Sequence, residues 1–154
     1  MNIQFTDRKT FIENIPLMQN PRYALISVSS TWGDYHKMRR ALKDKVEGKR
    51  ASCYIFADIE REESGFTDKE ADHIFKTVNR WDNLPYPERP INFVVHCDMG
   101  VSRSGAIAKW VNDYYGLDNR MLNEYTIYNK FVYQMLMRAT GTDLKTWYEN
   151  QQGE

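Results

Sequence analysis

One stretch constrains this chain more than any other: His96-Cys97-Asp98-Met99-Gly100-Val101-Ser102-Arg103-Ser104. The apolar run Ile91 to Val95 leads into it, and the apolar, helix-prone segment Gly105 to Tyr115 leads out, so the order is strand, tight loop, helix. At such a junction the first N–H groups of the helix lack intrahelical partners and the helix dipole favours negative charge, which makes the loop an anion cradle. Cys97 at its start adds a nucleophile, and Arg103 adds a planar, permanently charged fork. A tetrahedral phosphate fits such a cradle.

The pattern His-Cys-x5-Arg-Ser resembles the signature loop of the cysteine-dependent protein tyrosine and dual-specificity phosphatases. His96, Cys97, the spacing to Arg103, the interior Gly100 and the trailing Ser104 all match. The resemblance implies hydrolysis of phosphate monoesters through a phosphocysteine intermediate, with no cofactor and no metal. Cys97 is then the nucleophile, Arg103 clamps two phosphoryl oxygens, and the Ser104 hydroxyl stabilises the thiolate as it leaves. Residues Cys97, Asp98, Met99, Gly100, Val101, Ser102 and Arg103 form the phosphate-binding loop, with Asp98 turned to the rim and His96 ordering the backbone. The partners implied are a phosphorylated protein or peptide and, in the loop, phosphate or vanadate-type anions.

Such chemistry also needs a proton for the leaving oxygen. The predicted strand from Ser52 to Ala57 ends at Asp58, and the segment Phe56-Ala57-Asp58-Ile59 resembles the acid loop of compact, bacterial-type dual-specificity-like members. A strand, helix, strand order implies a right-handed parallel crossover, so the loops after Ala57 and Val95 emerge at one end of the sheet. Asp58 is therefore the expected acid, with Glu60, Glu62 and Glu63 as rivals. From Asp58 to Asp72 there are seven carboxylates against two basic residues. Further on, Tyr128-Asn129 followed by Val132-Tyr133 and Leu136 looks like the family's helix behind the loop, with Asn129 as a loop support.

The 154 residues suit a single α/β catalytic domain spanning 1–154, with 1–20 as an N-terminal scaffold segment and 151–154 as a frayed tail. The expected architecture is a short, mainly parallel central sheet flanked by helices on both faces. No apolar run approaches a membrane span, and the start lacks a basic then apolar leader, so no membrane and a cytoplasmic location are expected. Lys plus Arg and Asp plus Glu are equal at 21 each, so no global field draws the chain to nucleic acid. Cys53 reads as a small buried hydrophobe in a strand.

Along the chain, Thr6 or Asp7 is expected to cap a helix through Ile15 that Pro16 stops. Tyr23 to Val28 reads as a core strand, followed by a loop in which Trp32 covers the edge of the core, with lining the mouth of the site as the alternative. Asp34 to Glu47 reads as one helix, with Lys45 off its apolar stripe. The excess of four positive charges between Asp34 and Arg50, seven basic residues against three acidic, reads as a solvated face, with steering of an anionic substrate as the alternative. Thr67-x-x-Glu70 is a capping box opening a helix. Gly116 is placed to end the helix Ser104 to Tyr115, one or two helices end at Gly141, and Asp143 caps a last one through Asn150. The pocket-deepening motif of the large tyrosine-specific enzymes is not apparent, which implies a shallow site open to phosphotyrosine and also to phosphoserine and phosphothreonine. An RNA 5′-phosphatase and a non-catalytic phosphate-recognition module are the competing readings.

Overall fold

A strand covered by helices on both faces must be apolar on both, and Ala24 to Val28 and Phe93 to Val95 read that way. The computed structural model describes residues 1–141. Within them, β1 (Asn2–Asp7), β2 (Tyr23–Ser29), β3 (Ala51–Ile55) and β4 (Asn92–Cys97) pair in the order β1-β4-β2-β3, every pair parallel. Leu25 and Val94 face one apolar layer with Phe11, Met38 and Leu42. Their sequence neighbours Ala24, Ile26, Phe93 and Val95 face the other, with Ile74, Trp81, Ile107, Trp110, Val132 and Leu136. The first layer is built by α1 (Arg8–Asn14) and α2 (Trp32–Ala41), followed by the short α3 (Lys43–Glu47). The second is built by α4 (Asp68–Asp82), α5 (Arg103–Tyr115) and α7 (Lys130–Ala139), with the short α6 (Arg120–Asn123) between the last two. This is the α/β sheet with helices on both faces that the sequence implies.

Several local signals appear where expected. Thr67 and Glu70 form a full capping box at the start of α4, and Gly116 ends α5 in the left-handed conformation at φ 63°. Asp7, not Thr6, caps α1, its carboxylate accepting from the Thr10 N–H at 2.6 Å. Pro16 sits in a 3-10 turn that follows α1 directly.

Other expectations need correction. The N-terminal segment is more than a helix, because Asn2–Asp7 forms the edge strand β1 beside β4. Trp32 is no edge cover: it starts α2 and is 64% exposed, stacked on His36. The single helix expected over Asp34 to Glu47 breaks at Leu42 into α2 and α3. That break turns Lys45 inward, where Nζ donates to the carbonyls of Asn20 (2.8 Å) and Tyr23 (2.6 Å), and burial lowers its pKa to about 8. Lys45 thus drops out of the solvated charge run. Cys53 is half-buried rather than enclosed. The helix proposed from Asp143 and the tail 151–154 lie outside the described residues. No helix among those residues is long and apolar enough to cross a membrane.

Candidate active site

β4 carries His96 and Cys97 as its last two residues, and because side chains alternate, they leave the sheet on opposite faces. Cys97 belongs to the layer of α5, 2% exposed, with Sγ 3.1 Å from the Ser104 hydroxyl. His96 points to the layer of α1, its ring against Phe11 at 4.4 Å between centroids. The Cys97 carbonyl can only accept, so His96 Nδ1 is the donor to it (3.3 Å), and Nε2 accepts from the Ser27 hydroxyl (2.7 Å). Burial favours the neutral imidazole, which these bonds tie to the Cys97 backbone and to Ser27 at the mouth of the loop.

Burial holds the His96 pKa down, from 6.5 to about 4, against the opposing pull of its bond to the Cys97 carbonyl. Below pH 6.5 the unfolded chain takes up a proton that the folded ring refuses until about pH 4, so stability rises with pH across that window and is fully present above it. The shift is worth about 3 kcal/mol. Urea unfolding at about pH 7 and about pH 4.5 is expected to show most of that difference, and His96→Gln to flatten it. Equal slopes in the two proteins would remove His96 from this account. The Asp98 carboxyl, whose pKa lies below 3.8, acts in a lower window and does not confuse the test.

The loop turns back at Gly100, which has φ 68° and lies so close to β1 that a Cβ there would come within 2.3 Å of the Asp7 nitrogen. Only glycine satisfies both demands. Among the described residues, the backbone N–H groups of Met99 to Ser104 make no hydrogen bond. They sit at the start of the 13-residue α5, where its dipole adds positive potential. Three external bonds fix the loop carbonyls: the Arg8 N–H donates to Asp98 O at 3.4 Å, the Tyr125 hydroxyl to Val101 O at 2.6 Å and the Asn129 N–H to Ser102 O at 3.0 Å.

Arg103 is 4% exposed and anchored from three sides. Nη1 donates to Ser30 Oγ (2.8 Å) and to the Phe56 carbonyl (2.7 Å), and Nη2 to Asp98 (3.2 Å). Of its five N–H groups this leaves Nε–H, buried with no partner, and one on Nη2. A buried donor without a partner costs about 1–3 kcal/mol, so a guanidinium held this way is poised to take two oxygens of an anion. Asp98 is held in turn by Ser30 Oγ (2.7 Å) and by Arg8. Burial raises its pKa, but the Ser30 bond and the two guanidinium groups outweigh that and keep it below the usual carboxylate range.

Among the expected acid and its rivals, Asp58 alone bonds to the loop. Its Oδ1 accepts from Ser102 Oγ (2.8 Å) and from Asn129 Nδ2 (2.9 Å). Glu60 instead accepts from the Lys130 N–H at 2.8 Å, Glu63 pairs with Arg61 at 3.4 Å, and Glu62 lies exposed in a 3-10 turn. Asn129 is fully buried and caps α7 with its Oδ1, so one residue ties helix and carboxylate through its side chain and the loop through its backbone N–H.

The described chain is similar in structure to the Cydia pomonella PTP-2 phosphatase, known from a crystal structure: TM-score 0.51 and 12% identity, covering 99% of this chain and 85% of that one. The chain has a phosphatase-like fold. No protein-family model and no curated protein matches it. On this phosphatase-like fold the structure brings together His96, Cys97, Arg103, Ser104, Asp58 and Asn129. It also brings in four residues the sequence did not single out: Arg8, Ser27, Ser30 and Tyr125. Ser30 was within reach of sequence reasoning, since it follows β2 at the carboxyl end of the sheet where ligands gather. Arg8 and Tyr125 carry no local signal.

Proposed function

We propose that this protein is a cysteine-dependent phosphatase acting on phosphoproteins, on phosphotyrosine and also on phosphoserine and phosphothreonine. One observation carries the reading: the buried Cys97 thiol, 3.1 Å from Ser104 Oγ, shares its loop with a buried arginine that keeps N–H groups free. In the first step Cys97 Sγ forms a bond to phosphorus, the P–O bond to the leaving group breaks, and Asp58 gives that oxygen a proton. No hydrogen bond among the described residues reaches Asp58 Oδ2, which is the oxygen available to carry it. In the second step water attacks the phosphocysteine, Asp58 takes its proton, the S–P bond breaks, and the thiolate leaves toward the Ser104 hydroxyl. Arg103 and the loop N–H groups balance the charge on the equatorial oxygens throughout.

The test is hydrolysis of an aryl phosphate in EDTA and reductant, with vanadate as inhibitor. Wild type is expected to be active and vanadate-sensitive. Asp58→Asn is expected to lose about 10²-fold in kcat, the scale of general acid–base catalysis. An Asp58→Asn variant as active as wild type would move the acid to Glu60, Glu62 or Glu63. A second reading, hydrolysis of RNA 5′-phosphates, draws on the exposed Trp32, Lys37, Arg39 and Arg40 of α2 and Lys43 at the start of α3. Salt-sensitive RNA binding would favour it.

A further inference from the structure

A carboxylate beside the phosphate-binding arginine is a competitor for that arginine. Asp98 is such a group: its Oδ2 meets Arg103 Nη2 at 3.2 Å, longer than the 2.7–2.9 Å usual for a charged pair. Its Oδ1 goes to Arg8, which lies ninety positions away and enters through the turn from β1 into α1. Arg8 is itself held at the far end by Asp34 of α2, Nη1 to Oδ2 at 2.8 Å. The four side chains form a row of alternating sign, Asp34, Arg8, Asp98, Arg103, across the ends of three elements and the loop. The side chains of Arg8, Asp98 and Asp34 are 23%, 32% and 33% exposed, whereas that of Arg103 is 5% exposed.

We infer that Arg8 is a positioning residue that takes up the negative charge of Asp98 and so leaves Arg103 free for the phosphoryl group. This rests on the phosphatase reading and adds a residue to it. Without Arg8, the Asp98 carboxylate has Arg103 as its one cationic neighbour among the described residues, and the pair closes on itself. The anion then has to displace Asp98 before it can bind. The backbone repeats the linkage, since the Arg8 N–H donates to the Asp98 carbonyl at 3.4 Å, so the side chain can be changed without cutting the join between β1 and the loop.

The consequence has a sign that a simple structural role lacks: loss of Arg8 is harmful only while Asp98 is charged. Tungstate binding by calorimetry and vanadate inhibition read it directly, in wild type, Arg8→Met, Arg8→Lys and the double variant Arg8→Met/Asp98→Asn. Arg8→Met is expected to weaken both about tenfold, a moderate charge effect for a partly exposed pair. Arg8→Lys keeps the charge and is expected to stay within about threefold of wild type, which keeps the test open if Arg8→Met does not fold. The double variant is expected to recover to within about threefold, because the competitor has lost its charge. Tungstate binding by Arg8→Met equal to wild type overturns the inference. So does a double variant as weak as Arg8→Met, or an Arg8→Lys as weak as Arg8→Met. A wild type that binds no tungstate overturns the phosphatase reading as well, so the two failures are told apart.

Discussion

Replacing Cys97 by serine is expected to abolish aryl phosphate hydrolysis, by at least about 10⁴-fold, while tungstate binding survives. The reason lies in the alternation of β4. A serine hydroxyl needs a base to take its proton, and the neighbouring His96 is on the other face of the sheet, bonded to Ser27 and packed on Phe11. Ser104 offers only another hydroxyl. A thiol, unlike a hydroxyl, does not depend on such a base for its nucleophilicity, and the loop N–H groups and the start of α5 favour negative charge at this position. In the proposed mechanism the oxyanion contacts belong to the backbone and Arg103, and Cys97→Ser leaves both in place. Hydrolysis by Cys97→Ser at more than a hundredth of the wild-type rate, about 10⁻² on this scale, would sink the phosphocysteine route.

Arg103→Lys is expected to lower kcat/KM by about 10³-fold, with loss of vanadate inhibition in parallel. Charge is conserved in this substitution, so the effect isolates geometry. The guanidinium reaches Ser30 Oγ, the Phe56 carbonyl and Asp98 at once and still has N–H groups left for an anion. An ammonium has three donors, and satisfying those same three acceptors uses all of them. Removal of one oxyanion donor costs about 10²–10³, and here two are lost together. A kcat/KM within about tenfold of wild type would show that Arg103 acts only as a point charge. Thermal unfolding of the variant is the control, because these anchors also join the ends of β2 and β3 to the loop.

Much of the fold was legible because its signals are local. β2 and the middle of β4 show as short apolar runs, α4 shows as a capping box followed by apolar residues at helical spacing, and α5 is bounded by the loop and Gly116. β1 gives no such signal because it is an edge strand with an alternating, half-polar pattern, Asn2-Ile3-Gln4-Phe5, in place of a continuous apolar run. The break between α2 and α3 escaped because Lys45 looks like any surface lysine. Only two carbonyls, from Asn20 and Tyr23, give it a reason to turn inward.

The candidate site divides in the same way. The cradle follows from local sequence: the order of strand, loop and helix, Cys97 at its start, Gly100 at its turn and Arg103 at its end are set by backbone sterics and spacing over a few residues. Tertiary structure alone decided what faces the cradle. Asp58 rather than Glu60, Glu62 or Glu63 meets the loop because Ser102 and Asn129 reach its carboxylate, the latter from α7, 71 positions on. Arg8 meets Asp98 because β1 pairs with β4, not with the strands nearer to it in sequence. Such contacts follow from which strands and helices pack side by side, a choice made by the burial of whole faces. No spacing between two residues far apart in the chain records it.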